Sequence, residues 1–173
     1  MENIYPGQNQ ENNSMDGIRT IYGNRFDYRN IRSNKIELKD IIYSLSRINR
    51  YIGHSSRAIT VAEHTVLVHD FLDNEKQPIS HLVYSLFHDA EEAYTGDMPR
   101  PLKELFPDFC QLGNDIRQHI LDSFYFSWPI TPELLAAVNQ ADDLVLAFEC
   151  RSIPMIDAET QLTERFARYG YVA

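Results

Sequence analysis

The stretch Phe87-His88-Asp89-Ala90-Glu91-Glu92-Ala93-Tyr94-Thr95-Gly96-Asp97 sets one imidazole and four carboxylates into an otherwise apolar, helix-like segment. Burying ionisable groups is costly unless they are paired or ligate a metal, so a carboxylate-rich patch in a helix that must pack inward calls for a cation. The same chemistry recurs at two distant positions. His64, in Val61-Ala62-Glu63-His64-Thr65, and Asp142, in Gln140-Ala141-Asp142-Asp143-Leu144, each put a further ligand type on a separate predicted helix. Together His64, His88, Asp89 and Asp142 suggest a metal site of two histidines and two aspartates.

A chain of 173 residues holds one full hydrophobic core and is short for two domains. A hydrophobic fraction of 43% with 24% charged residues is ordinary for a folded soluble protein. The net charge of −9 disfavours a broad footprint on duplex nucleic acid or an anionic membrane. No apolar run approaches the length that spans a bilayer, and the N-terminus lacks the basic and apolar parts of a signal peptide, so the cytoplasm is expected. Cys110 and Cys150 lie far apart without CxxC spacing, which predicts two buried, reduced thiols rather than a disulfide or a thiolate zinc site.

Residues 1 to 17 are polar and turn-prone and read as a flexible tail, leaving 18 to 173 as the single domain. Tyr22 to Tyr28 suggests a turn or short extended element. Helical spacing begins at Leu38 and continues through Ile41, Ile42, Leu45 and Ile48. Thr60 and Glu63 have capping-box spacing, which places His64 in the first or second turn of helix two. Pro78 opens a third helix, Ile79 to about Tyr94, with His88 and Asp89 late in it and Thr95-Gly96 as the stop. Two prolines within Met98-Pro99-Arg100-Pro101-Leu102 predict a rigid loop beside the site. Further helices are expected over Phe109 to Phe124, from Thr131-Pro132 through Asp142 to about Arg151, and over Ala158 to Ala167, closed by Gly170. With no strand alternation of any length and no repeat, the fold class is all-α, a single-domain helical bundle.

Imidazole and carboxylate together suit Zn²⁺, Co²⁺, Mn²⁺ or Fe²⁺ better than Ca²⁺, with Mg²⁺ as an additional ion, and would leave open positions for water and phosphate oxygens. A His-Asp pair alone proves little: His69-Asp70 reads as surface polarity near a helix end. The apolar neighbours Leu86, Phe87, Ala90 and Ala93 set His88-Asp89 apart from it. Taken singly, His64 reads as an ordinary helix histidine and Asp142 as half of an exposed acidic pair with Asp143. His54 competes as a second imidazole, and His81 and His119 read as solvated.

In order and spacing, Val61-Ala62-Glu63-His64, His88-Asp89-Ala90-Glu91-Glu92, Thr95-Gly96-Asp97-Met98-Pro99 with Pro101-Leu102-Lys103, and Gln140-Ala141-Asp142 resemble the HD-domain phosphohydrolases. The similarity covers roughly residues 38 to 151, and is to the bacterial 5′-deoxynucleotidase branch and related phage enzymes that hydrolyse deoxynucleoside triphosphates, notably dATP. The resemblance implies His64, His88, Asp89 and Asp142 as metal ligands and Glu92 as the carboxylate that positions or deprotonates water. Three and four residues past the ligand pair, Glu92 shares its helical face. The resemblance also implies that Asp97 meets the sugar hydroxyl and that Arg50 and Lys103 meet phosphate oxygens. Tyr51 stands where that branch has a tryptophan against the nucleoside.

The implied activity is metal-dependent hydrolysis of a 2′-deoxynucleotide, as monophosphate or triphosphate, with Arg57 and Arg100 as additional cations near the motifs. Alternatives are a cyclic-nucleotide or guanosine tetraphosphate hydrolase, and a non-catalytic helical binding module that uses an aromatic surface of 10 tyrosines and 9 phenylalanines. Self-association into a homo-oligomer is a further expectation from the resemblance.

Overall fold

Helices form where apolar residues recur at helical spacing, and the computed structural model describes them over residues 17–149 and 157–172. The tail expected over residues 1 to 17 lies, but for its last residue, outside the described residues, as does the expected helix end at Arg151. The described helices are α1 (Leu38–Leu45), α2 (Val61–Asn74), α3 (Ile79–Phe87), α4 (Glu92–Thr95), α5 (Arg100–Lys103), α6 (Pro107–Ser123), α7 (Pro132–Glu149) and α8 (Ala158–Arg168). The mainly-α class stands. It is supplemented by a hairpin of β1 (Gly17–Arg19) and β2 (Arg25–Asp27), antiparallel with Ile18 opposite Phe26. Three-residue strands are too short for alternation to register, which is why only a turn or short extended element was legible there.

The centre of the bundle is α2, which packs against α3, α7 and α8. Its Val61, Ala62, Val66, Val68 and Leu72 are buried, and so are Glu63, His64, Thr65 and His69, so polar residues face inward on this helix as well. A helix buried nearly all round must satisfy its polar groups with partners from its neighbours. Phe87 of α3 and Phe166 of α8 meet edge to face in the core, ring centroids 5.1 Å apart. Phe26 of the hairpin stacks on Tyr94 at 4.1 Å, pinning the hairpin to α4.

Several sequence expectations are corrected. The third helix stops at Phe87 rather than Tyr94, and a turn separates it from α4. The Pro-rich stretch is not wholly a loop: Pro101 sits in the first turn of α5, where its missing N–H has no intrahelical role. His119 is buried, its Nε2 2.9 Å from the Asn34 carbonyl oxygen, rather than solvated. Cys110 is exposed rather than buried, and Cys150 lies outside the described residues. No helix among the described residues is long and apolar enough to cross a membrane.

His69-Asp70 is the largest revision, since His69 is fully buried rather than a surface residue. Its Nδ1 lies 2.9 Å from Asp70 Oδ1 and its Nε2 2.9 Å from the Tyr169 hydroxyl. Arg165 of α8 closes the network on Asp70 through Nε (3.1 Å) and Nη2 (2.8 Å). The pair is therefore a latch between α2 and α8. Burial works against the Asp70 charge, but the His69 hydrogen bond and the Arg165 guanidinium outweigh it and hold the carboxyl at about 2. A carboxyl whose folded-state pKa is depressed stabilises the fold above its unfolded pKa, and that contribution disappears as pH falls toward the folded value. Asp70→Asn should therefore be less stable at neutral pH and show a shallower loss of melting temperature between about pH 4 and 2. An unchanged acid slope in calorimetry would remove Asp70 as a source of acid sensitivity.

Candidate metal centre and adjoining pocket

The start of α2 fixes the first ligand. Thr60 Oγ1 accepts from the Glu63 backbone N–H at 3.1 Å, which places His64 in the first turn. The Glu63 carboxylate does not complete a capping box and turns instead to Arg57, with Nη1 to Oε2 at 2.9 Å, so Arg57 is engaged away from the pocket. An antiparallel bridge between Asn49 and Thr60, with the Arg50 N–H donating to the Ile59 carbonyl at 2.8 Å, delivers Arg50 beside the same turn.

The second pair arises where α3 stops. The N–H groups of Ala90 and Glu92 donate to the carbonyls of Phe87 (3.1 Å) and Asp89 (3.0 Å), a tighter winding than an α-helix. This turn sets His88 and Asp89 at the end of α3 and Glu92 at the start of α4. From α1, Ser44 Oγ donates to the Ala93 carbonyl at 2.9 Å, and the Tyr28 hydroxyl donates to that of Tyr94, so α4 is held from outside.

His64, His88 and Asp89 converge: one ligand atom of each lies within 4.8 Å of the others. Asp89 Oδ2 is 3.3 Å from His88 Nε2 and 3.8 Å from His64 Nε2. Asp142 adjoins this group rather than completing it. Its Oδ1 lies 2.9 Å from His64 Nε2, and its Oδ2 accepts from Arg100 at 3.2 Å. Although Asp142 is close, both Nε2 atoms are buried without a hydrogen bond of proper geometry.

On the far side of each ring an acceptor faces Nδ1. His64 Nδ1 lies 2.8 Å from Glu149 Oε1 and His88 Nδ1 2.6 Å from the Ser85 carbonyl oxygen. A ring that donates from Nδ1 presents a lone pair at Nε2, the arrangement of a metal-ligating histidine. Leaving a buried polar atom unsatisfied costs about 1–3 kcal/mol. Two such nitrogens beside a carboxylate therefore fit a divalent transition metal.

One cavity of about 250 Å³ adjoins this cluster and brings the remaining sequence candidates together: Arg50, Tyr51, Glu92, Asp97 and Lys103 line it with Asp89 and Asp142. Glu92 is buried, not an exposed helix-end glutamate. Its Oε1 accepts from Lys103 Nζ at 2.8 Å, while Oε2 has no partner. Burial and the Asp89 carboxylate push the Glu92 carboxyl well above the usual range, against the pull of Lys103. Burial likewise raises Asp97. Arg100 lines the same cavity but is committed to Asp142 and Asp143. The competing imidazole His54 is exposed and outside both the cluster and the cavity.

The sequence reading missed Glu149. Its side chain is fully buried. Oε1 faces His64, while Oε2 accepts from Arg50 Nε (3.1 Å) and from the Tyr51 hydroxyl (2.6 Å). The signal was available: Glu149 is seven residues after Asp142 on α7, two turns along the same face. Tyr51 and Ile52 carry positive φ angles of 58° and 54°, a genuine outlier for β-branched Ile52. The Tyr51–Glu149 bond holds this turn against its strain.

The fold and these side chains define a class: a mainly-α protein with a buried His/Asp cluster suited to a divalent metal, beside a small pocket lined by cations. No family model matches the chain. It is 35% identical over 143 residues to the uncharacterized protein YfdR of Escherichia coli K12, covering 83% of this chain and 75% of YfdR. It is 33% identical over 140 residues to an uncharacterized protein of Rhodobacter capsulatus, covering 78% of this chain and 71% of that protein. The chain belongs to the family of these two proteins.

Removing an outer carboxylate that orients a ligating histidine typically lowers metal affinity about 10–100-fold. Glu149→Gln should therefore weaken Mn²⁺ binding by roughly that factor in titration calorimetry. Wild-type affinity in this variant would show that the His64 ring needs no orientation from α7.

Proposed function

We propose that the protein is a metal-dependent phosphohydrolase acting on 2′-deoxynucleotides. The observation that carries the reading is the pair of buried Nε2 atoms of His64 and His88, neither satisfied by a hydrogen bond, converging with Asp89 at the edge of a pocket that holds Arg50, Lys103 and Glu92. The resemblance of the same motifs to HD-domain phosphohydrolases supports it. His64, His88, Asp89 and Asp142 would hold the ion, with Asp142 released in part from Arg100. Co²⁺, Mn²⁺ and Zn²⁺ suit that donor set. A bound divalent ion would supply Lewis acidity, polarising the phosphate and acidifying water.

The chain's own groups do the rest. Arg50, with its Nε tied to Glu149, meets phosphate oxygens through its remaining N–H donors. Lys103 adds a point charge beside Glu92. The free Oε2 of Glu92 accepts the proton of the attacking water. The Tyr51 ring offers a face to the nucleoside, while Asp97 accepts from a sugar hydroxyl. With this reading go a cytoplasmic location, a nucleotide as the ligand and self-association.

Glu92→Ala should bind nucleotide but lose about 10²–10⁴-fold in turnover, the usual contribution of a positioned acid–base group. His88→Ala and Asp89→Ala should lose metal and activity together, read by elemental analysis alongside phosphate release. Stoichiometric metal in either variant would break the ligand assignment. Full turnover by Glu92→Ala would remove its role. A non-catalytic binding module would be indifferent to Glu92→Ala and release no phosphate from any nucleotide.

A further inference from the structure

A second cavity, of about 420 Å³, touches the same cluster: Asp89 and Asp142 line both cavities, and His88 lines this one. It lies between α6 and α7 over the end of α3. Along α7, Leu135 and Asn139 face the second cavity, Asp142 faces both, and Leu146 faces the first. Their spacings of four, three and four residues make one stripe. At 1.5 Å per residue the stripe is about 16 Å long, with Asp142 near its middle. The two cavities are thus neighbouring compartments that share Asp89 and Asp142 as walls, and the candidate metal cluster adjoins both.

Their chemistry differs. Arg50, Lys103 and Arg100 line the first compartment. Among the described lining residues of the second, the cation is Arg117, which binds buried Glu91 through Nη2 and through Nε at 2.8 Å, as the cations of the first bind carboxylates of their own. The other walls are apolar (Tyr84, Leu121, Leu135) or carry neutral amides (Gln118, Asn139). Among the described lining residues a polyphosphate placed there would meet one cation, against three in the first compartment. A neutral, partly apolar group that can hydrogen-bond to amides fits.

Resting on the phosphohydrolase reading, we propose that the α6–α7 compartment binds a second organic substituent on the scissile phosphate. The preferred substrate is then a phosphodiester of a nucleotide rather than a terminal monophosphate or a free triphosphate. In the reaction, the oxygen of water bonds to phosphorus and the bond from phosphorus to the second substituent's oxygen breaks. That oxygen leaves with the electron pair and is protonated by solvent if basic enough, and the water proton passes to Glu92. The products are a nucleoside monophosphate and an alcohol or phenol.

The probe is the p-nitrophenyl ester of thymidine 5′-monophosphate, compared with thymidine 5′-monophosphate and dATP, all with Mn²⁺. Turnover is followed by p-nitrophenolate absorbance and chromatography, and binding by calorimetry on Glu92→Gln. The diester is expected to have at least a tenfold higher kcat/KM than either comparator and to bind Glu92→Gln more tightly than the monophosphate. Asn139→Trp and Gln118→Trp, which fill the compartment from opposite walls at exposed positions, should each lower the diester-to-monophosphate ratio at least tenfold in both kcat/KM and affinity. Hydrolysis of the monophosphate or dATP with the diester left intact would overturn the inference while leaving the phosphohydrolase standing. Unchanged ratios in both tryptophan variants would overturn it too. Neither turnover nor binding of any of the three would overturn the phosphohydrolase reading itself.

Discussion

The Glu149 carboxylate, buried in the protein interior, is the interaction on which the site depends. An isolated buried anion is costly, and this one is tolerated because three donors reach it from two other parts of the chain. His64 comes from the first turn of α2, and Arg50 and Tyr51 from the turn that precedes it. One side chain therefore fixes the ring orientation of a candidate metal ligand and the position of a candidate phosphate ligand together. Removing it would leave the buried Arg50 guanidinium with the more distant carboxylates of Asp89 and Asp97, so the candidate metal ligand and the candidate anion ligand depend on one side chain. The left-handed backbone at Tyr51 and Ile52 is the local cost of that junction.

The second determinant is the early end of α3. Had the helix run on to Tyr94, His88 and Asp89 would point about 100° apart on one cylinder. The tighter turn after Phe87 breaks that cylinder: His88 and Asp89 close α3 beside His64, and α4 starts with Glu92 lining the pocket. Ser44 and Tyr28 hold the carbonyls of α4, so the hairpin and α1, remote from the chemistry in sequence, set the position of Glu92. With Glu92 paired to Lys103 on one oxygen and unpartnered on the other, the pocket combines cationic charge with a free acceptor. That combination is what a phosphate and a water molecule need at the same place.

Much of this was legible in the chain. Thr60-x-x-Glu63 marked the start of α2, Thr131-Pro132 that of α7, and Gly96 a helix end, though the helix it closes is α4 and not the long third helix expected, because caps and breakers act through local hydrogen bonds and dihedral angles. His88 and Asp89 stood out because ionisable groups amid apolar neighbours are rare without a partner, whereas His64 was legible only in combination with them. His69 and His119 were misread for the converse reason. Their partners, Tyr169 and the Asn34 carbonyl, lie 100 and 85 residues away, and no local signal distinguishes a histidine facing such a partner from one facing water. Glu149 escaped because an acidic residue near a helix end looks solvated until another element covers it.

The sequence by itself determined the mainly-α class, the starts of α1, α2, α3, α7 and α8, and the inventory of groups that could bind a metal and an anion. These follow from side-chain periodicity and capping, which act over a few residues. Only the tertiary structure decided which of those groups meet. It gathered His64, His88 and Asp89, left Asp142 shared with Arg100, put Glu149 behind His64 and opened a second compartment between α6 and α7. The physical reason is that burial and long-range pairing depend on how helices cross. Crossing is set by the packing of whole faces, among them Phe87 against Phe166 and α2 against α3, α7 and α8, which no short window of sequence contains.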